Sequence, residues 1–318
     1  MRIGFSVYSE DTYTTCQAST RIRVYDVMSY FEDETNVVCS FYEPGVEYDA
    51  MIFQKCFQEG DIHRAKLLKN KGTKIIFDIN VNYVYLEGLA KKYVSAKQKA
   101  NVLRMLDLSD NVIVSSGKLN EIYSKHHNNV VTIEESIESR FFETNKFHDN
   151  DKTIFLVYCG YAIKAKDVLL IREVLINLHE RFSVKMLFIC EEDPRICVIP
   201  YEFLTYDYKN LPSLLIKGDI KIAPRDLSDS YNWGHSFSKV AYPMSVGIPA
   251  VASPVPSYIN REVTICNSKV DWYNNLERLI LSPDLRKEEG LAGKKVVKEG
   301  FSIDVIGKKY LELFRGLL

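Results

Sequence analysis

The sequence predicts an α/β protein built from two successive parallel sheets, each covered by helices on both faces. Three observations lead there. Short, almost uninterrupted apolar runs such as Lys74-Ile-Ile-Phe-Asp-Ile79 and Val184-Lys-Met-Leu-Phe-Ile-Cys190 have the composition of strands buried on both sides. Stretches of helical periodicity separate them one after another, and that alternation is the pattern of a parallel sheet with right-handed crossovers. The series is interrupted once, at residues 143–152 (ETNKFHDNDK), which are polar and lack apolar periodicity, so this segment is the expected linker between two halves.

Taken in order, Arg2 to Tyr8 reads as a first buried strand and Ser9 to Ala18 as a polar loop. A helix is expected from Ser19 to Phe31, then strands at 37–42 and 48–54, with a basic amphipathic helix at 61–71. A strand at 74–79 leads to a long helix ending near Asp107, and strands at 112–116 and 130–134 close the first half. The second half opens with the strand Ile154–Tyr158, which ends at Cys159-Gly160; a helix over 167–181 and a strand over 184–190 follow. A strand near 262–266 and helices at 270–281 and 283–298 come next. Gly300 is expected to break the chain before a last amphipathic helix, 302–317.

Composition bounds the function. At 318 residues the chain is long enough for two domains with separate cores. Its formal charge of −1 lacks the basic excess of a nucleic-acid binder. Met1-Arg2 leads straight into a strand-like run, so no leader is expected, and no stretch approaches the roughly 18 apolar residues of a membrane span. The seven cysteines are odd in number, scattered and without a C-x-x-C pair, which fits reduced thiols in a cytoplasmic protein better than disulfides or zinc.

The stretch Ser236–Tyr258 (SFSKVAYPMSVGIPAVASPVPSY) combines a helix start, a tight turn at Gly247-Ile248-Pro249 and a short buried strand. Backbone N–H groups at such a helix start, with its dipole, favour a phosphate. The segment resembles the nucleotide-binding signature of GT-B glycosyltransferases of the family-4 type. Asp219-Ile-Lys-Ile-Ala-Pro224 resembles the strand that precedes it there. The resemblance implies two Rossmann-like domains facing across a cleft: an acceptor-side domain over 1–150 and a nucleotide-sugar domain over 151–300. It also implies that helix 302–317 crosses back to the first.

Ligands of open α/β sheets lie at the carboxyl ends of strands, which selects four loops. The first carries Glu10, Asp11 and the pattern Ala18-Ser19-x-Arg21-x-Arg23, similar to a cleft-facing loop of the family; surface arginines behind an N-cap serine are the plain alternative. The second, Asp78-Ile-Asn80-Val-Asn82, keeps one carboxylate of an acidic cluster. Asp78 is a candidate to face the acceptor hydroxyl and equally an Asx-turn residue, with Asn80 beside it. An inverting reaction needs a general base, for which Asp78, Asp11 and Glu10 are the candidates. In the third, Gly160 and Lys166 match a diphosphate-binding loop, but Tyr161 stands where the family has arginine. Lys164 is the nearest cation to compensate, without arginine's bidentate fork.

In the fourth, the resemblance assigns nucleotide contacts to Ser236, Phe237, Ser238 and Lys239, and places Tyr242 where the family has a ribose-gripping glutamate. A phenol offers one oxygen and no charge. Pro243 cannot donate to the carbonyl of Lys239, so the helix is expected to kink or start late.

Together these imply glycosyl transfer from a nucleotide-sugar donor to the hydroxyl of a glycan or lipid-linked acceptor, in bacterial cell-surface polysaccharide or glycan assembly. The resemblance implies no cofactor and no metal, which agrees with the lack of a D-x-D motif. Two other classes stay open: a non-catalytic relative acting as a glycan-assembly partner, which would explain Tyr161 and Tyr242, and a nucleotide-sugar epimerase of the same architecture. The basic runs 66–74 and 91–99 read as solvated helix faces. Peripheral contact with anionic lipid on the inner face of the membrane is their alternative use.

Overall fold

The computed structural model describes residues 1–8, 13, 17–32, 36–88, 90–149 and 153–317. Among the described residues there are two six-stranded sheets, parallel throughout. The chain divides into two compact units, the first comprising 1–136, 228–236 and 303–318, the second 137–227 and 237–302.

In the first unit the sheet order is β2-β1-β3-β4-β5-β6, with β1 at Arg2–Val7, β2 at Val38–Phe41 and β3 at Ala50–Gln54. Strands β4, β5 and β6 are Lys74–Ile79, Asn111–Val114 and Val130–Thr132. Every residue of β3 is buried, as its continuous apolar run requires for a strand covered on both faces. The helix Ala96–Leu108 starts where the sequence supplies a capping box: Ser95 Oγ accepts from Gln98 N at 3.1 Å, and Ser95 N donates to Gln98 Oε1 at 2.9 Å. The helix Ile303–Leu317 places Ile306, Tyr310 and Phe314 on one face by their four-residue spacing. They pack in the same core as Val24, Val27, Phe31, Ile3, Ile76 and Ile113.

In the second unit the order is β12-β11-β10-β7-β8-β9, with β7 at Ile154–Cys159, β8 at Val184–Cys190 and β9 at Tyr201–Thr205. Strand β10 is Ile220–Ala223, β11 is Ala250–Ala252 and β12 is Thr264–Ile265. The segment after β7 is a 3-10 helix over Ala162–Ile171 that continues as the α-helix Arg172–Arg181, so helical structure begins earlier than the periodicity suggests. The helix Ser238–Ser245 contains Pro243 and is short, its first turn closed by Val240 and Ala241 N–H groups on Phe237 O. Gly300 does not break the chain: the helix Pro283–Phe301 runs through it and stops at Ser302. A helical glycine costs only about 1 kcal/mol, and here two others allow close packing. A Cβ at Gly290 would fall 2.1 Å from Gly247 O, and one at Gly293 would meet Met244 Cε at 2.9 Å.

The described part of the expected linker, 143–149, is a packed arm. Lys146 N donates to Val246 O at 2.7 Å and its ammonium pairs with buried Asp219 at 2.8 Å. His148 Nε2 donates to Gly247 O at 2.9 Å, Arg286 to Asp149 O at 2.8 Å, and Lys294 to Thr144 O at 2.8 Å. Its anchors are backbone groups and charged side chains, which leave no apolar periodicity to read. Thus 137–149 pack with the second unit, not with 1–136 as expected. Residues 228–236, expected in the second unit, pack in the first, where Ser230 Oγ accepts from Glu87 N at 2.8 Å and Trp233 stacks on Tyr85 at 5.7 Å.

Candidate active site

At the carboxyl edge of the first unit, the helix after β1 contains a π-helical turn, Arg21–Tyr25, that buries both expected acceptor-side arginines. Arg23 Nε donates to both oxygens of Asp78, at 2.7 and 2.9 Å, and its Nη1 donates to Ile133 O at 2.9 Å. Asp78 is fully buried; burial holds its carboxyl above the usual carboxylate range, and Arg23 offsets only part of that rise. This corrects two expectations at once. Asp78 does not present a carboxylate to an acceptor, and Arg23 is spent on holding it inside the sheet. Arg21 is likewise buried. Ser19 Oγ accepts from the ammonium of Lys55, whose left-handed φ of 55° follows directly on β3. Glu10 and Asp11 lie outside the described residues.

The sequence reading missed Glu135, just past β6. Asn80 Nδ2 donates to one of its oxygens at 2.9 Å and Ser236 Oγ to the other at 2.6 Å. Ser236 therefore serves a carboxylate of the first unit and does not cap the helix after it, whose N-cap is Phe237 without a side-chain bond. A glutamate at a strand end is not distinctive in sequence, and only the fold joins it to Asn80 and Ser236.

At the carboxyl edge of the second unit, β7 ends at Gly160, which holds a φ of 153° that other residues rarely adopt. The next N–H groups enter a helical turn, and Ala162 N donates to both oxygens of Glu191 at 3.1 Å, a second carboxylate the sequence did not single out. Tyr161 and Lys166 point to solvent and Lys164 is half-buried. Beyond β10, Arg225 pairs with Asp167 at 2.5 Å while its Nε is buried without a partner. On β10 itself Lys221 is 2% exposed, and among the described residues its ammonium makes no hydrogen bond or ion pair. It lies 5.2 Å from the ring centre of Tyr158, whose hydroxyl donates to Tyr161 O at 3.0 Å. Burial first, with the charges of Arg225 and Lys239 adding to it and the two thiols opposing it, lowers its pKa from the usual 10.5 to about 8. The signal was present: a lysine inside an apolar strand run is held largely out of water.

At the start of the helix Ser238–Ser245, Ser238 is buried and Lys239 half-buried, and the charge of Lys239 reaches the Cys159 thiol beside Gly160. Tyr242 is not placed as an isolated polar handle. Its ring packs on Phe141 at 4.9 Å and edge-on to Tyr208 at 6.4 Å, and Arg140 lies over both of those rings, 4.8 and 4.6 Å from their centres. Among the described residues no group of His, Cys, Asp and Glu is placed to hold a metal ion, and all cysteines are free thiols. No described helix is long and apolar enough to cross a membrane.

No protein-family model matches the chain, and no curated protein matches it by sequence. Solved structures do match in fold. A glycosyltransferase from Rickettsia africae ESF-5 superposes with a TM-score of 0.68 at 12% identity, covering 99% of this chain and 98% of its own. Sucrose-phosphate synthase from Thermosynechococcus elongatus gives 0.63 at 13%, covering 85% and 74%. A TarM variant from S. aureus, in complex with fondaparinux, alpha-GlcNAc-glycerol and UDP, gives 0.62 at 16%, covering 83% and 55%. The fold is that of the GT-B glycosyltransferases: α/β, with two six-stranded parallel sheets and helices around them.

Proposed function

We propose that the protein is a glycosyltransferase of the family-4 type that moves a sugar from a nucleotide-sugar to an acceptor hydroxyl during bacterial glycan assembly. The observation that carries this reading is the carboxyl edge of the second unit. There Gly160, the loop to Lys166, and the start of the helix Ser238–Ser245 with Lys239 converge beside Cys159 on a GT-B fold. Open α/β sheets bind ligands at this edge, and helix N–H groups with lysines suit a diphosphate leaving group. The TarM complex, with its UDP, supports a nucleotide donor by likeness of fold.

The acceptor-side role falls to the first unit, where Asn80 and Glu135 occupy the strand ends. The same reading gives the acceptor as a glycan or a lipid-linked glycan. The exposed Tyr161 and the ring-packed Tyr242 favour a second reading, a non-catalytic relative that keeps the fold. A thermal-shift screen against UDP-, GDP-, ADP-, CMP- and dTDP-sugars tests the donor. A ligand at 100 times its Kd stabilises by about 2.7 kcal/mol. Binding followed by sugar transfer to acceptor supports the enzyme, whereas no shift with any donor refutes it and leaves the non-catalytic relative.

A further inference from the structure

A buried lysine is costly, and proteins that keep one charged normally give it a carboxylate. Lys221 has none. It is 2% exposed in the middle of β10 and makes no ion pair or hydrogen bond among the described residues. The groups that face it are known. Tyr158 and Cys159 come from β7, Cys190 from β8, Arg225 from beyond β10, and Lys239 from the helix Ser238–Ser245. Burial holds both thiols neutral, pushing Cys190 up to about 12 and Cys159 in the same direction. The groups facing Lys221 are thus two cations, of which Arg225 is already paired with Asp167, two neutral thiols and a phenol ring, and none of these five is an anion. Arg225 adds a buried Nε without a partner, since Asp167 takes only its Nη1.

We infer that Lys221 is an anion-binding residue of the donor pocket, supplying from the sheet the positive charge that Tyr161 leaves out of the loop after β7. The inference rests on the glycosyl-transfer reading for the identity of the anion, a nucleoside diphosphate, but its geometry stands on Lys221 and Arg225 themselves. The ammonium sits beneath Tyr158, whose hydroxyl is tied to the backbone of Tyr161, the first residue of the phosphate loop. A phosphoryl oxygen bound there satisfies the ammonium and draws its pKa upward. Above pH 8 the free protein holds Lys221 partly neutral, so binding takes up a proton and weakens as pH rises.

Isothermal titration of the full chain with UDP, GDP, ADP and inorganic pyrophosphate tests this, with Lys221→Met beside an exposed control, Lys217→Met. Wild type and control are expected to bind alike. Lys221→Met is expected to bind at least about tenfold more weakly, as befits loss of a charge-assisted bond. For the nucleotide that binds, wild-type affinity is expected to fall between pH 7.5 and 9.5, with proton uptake seen as a buffer-dependent heat, and the Met variant to show neither. Equal affinity of wild type and Lys221→Met overturns the inference and leaves the donor reading standing. Pyrophosphate binding that depends on Lys221, without binding of any nucleotide, supports the inference and refutes that reading. Wild type that binds neither refutes both.

Discussion

Replacing Lys221 with methionine should make the ligand-free protein more stable. The side chain is buried in β10, and methionine has nearly its length without its charge. The structure sets the size of the effect. Burial brings the pKa from 10.5 to about 8, and at 1.36 kcal/mol per unit the protonated form costs about 3 kcal/mol of folding free energy. The ring of Tyr158 offsets part of it, on the order of 1 kcal/mol. Because the folded pKa lies below the unfolded one, the unfolded chain binds more protons between pH 8 and 10.5. Wild-type stability therefore rises with pH through that window, and the cost is fully present below it. Melting followed by circular dichroism at pH 7.5 and pH 9.5 checks both points. The net of about 2 kcal/mol should raise the melting temperature of Lys221→Met about 4–8 °C above wild type at the lower pH, and the gap should narrow at the higher. A variant that melts below wild type, or a gap that ignores pH, refutes the claim that Lys221 is an uncompensated buried cation.

Three other outcomes are expected. Tyr242→Phe should change melting and nucleotide affinity by less than about 1 kcal/mol, whereas Tyr242→Glu should cost more than about 2 kcal/mol by setting a charge among the rings of Phe141 and Tyr208; a stable Glu variant with tighter nucleotide binding would instead place Tyr242 at the ribose. Gly290→Ala should lose about 1–3 kcal/mol in chemical denaturation because its Cβ meets the backbone of Gly247. Gly300→Ala, in the same helix with nothing within 4 Å, should gain up to about 1 kcal/mol, and equal effects would remove the close-packing argument. Asp78→Ala should destabilise by about 3–5 kcal/mol by stranding Arg23, with most of that recovered in Arg23→Met/Asp78→Leu; loss of transfer activity at unchanged stability would return Asp78 to the list of bases.

What the sequence made legible was whatever a single strand or helix expresses on its own. The continuous runs of β3, β4, β7 and β8, the capping box at Ser95 and the stripe Ile306–Tyr310–Phe314 each satisfy a local rule and were readable from it. Strand β9 was passed over because its sequence, YEFLT, is half polar and the strand lies at the sheet's edge, mostly part-exposed. The carboxylates that organise the two strand edges, Glu135 and Glu191, owe their importance to partners 29 to 101 positions away. Asp78 and Arg23 were noticed separately and for the wrong reason. Each looked like a ligand-facing charge until the fold put them 2.7 Å apart. Lys221 stands inside the apolar run Ile220–Ala223, which marks it locally as a lysine held largely out of water, whereas the groups that face it come from other strands.

The division of the chain has a consequence for how the protein is made. The first unit takes its segments from 1–136, 228–236 and 303–318, so synthesis must run through the whole second unit before the helix Ile303–Leu317 exists. Until then the face of the first sheet that carries Ile3, Ile76 and Ile113 lacks Ile306, Tyr310 and Phe314 against it. A nascent or truncated chain ending near residue 136 therefore holds an apolar surface open to chaperones and to other chains. The second unit, with both of its segments flanked by first-unit residues, is the one that can finish folding while still tethered to the ribosome. An excised first unit would need the 303–317 helix supplied through a short designed linker to stay soluble.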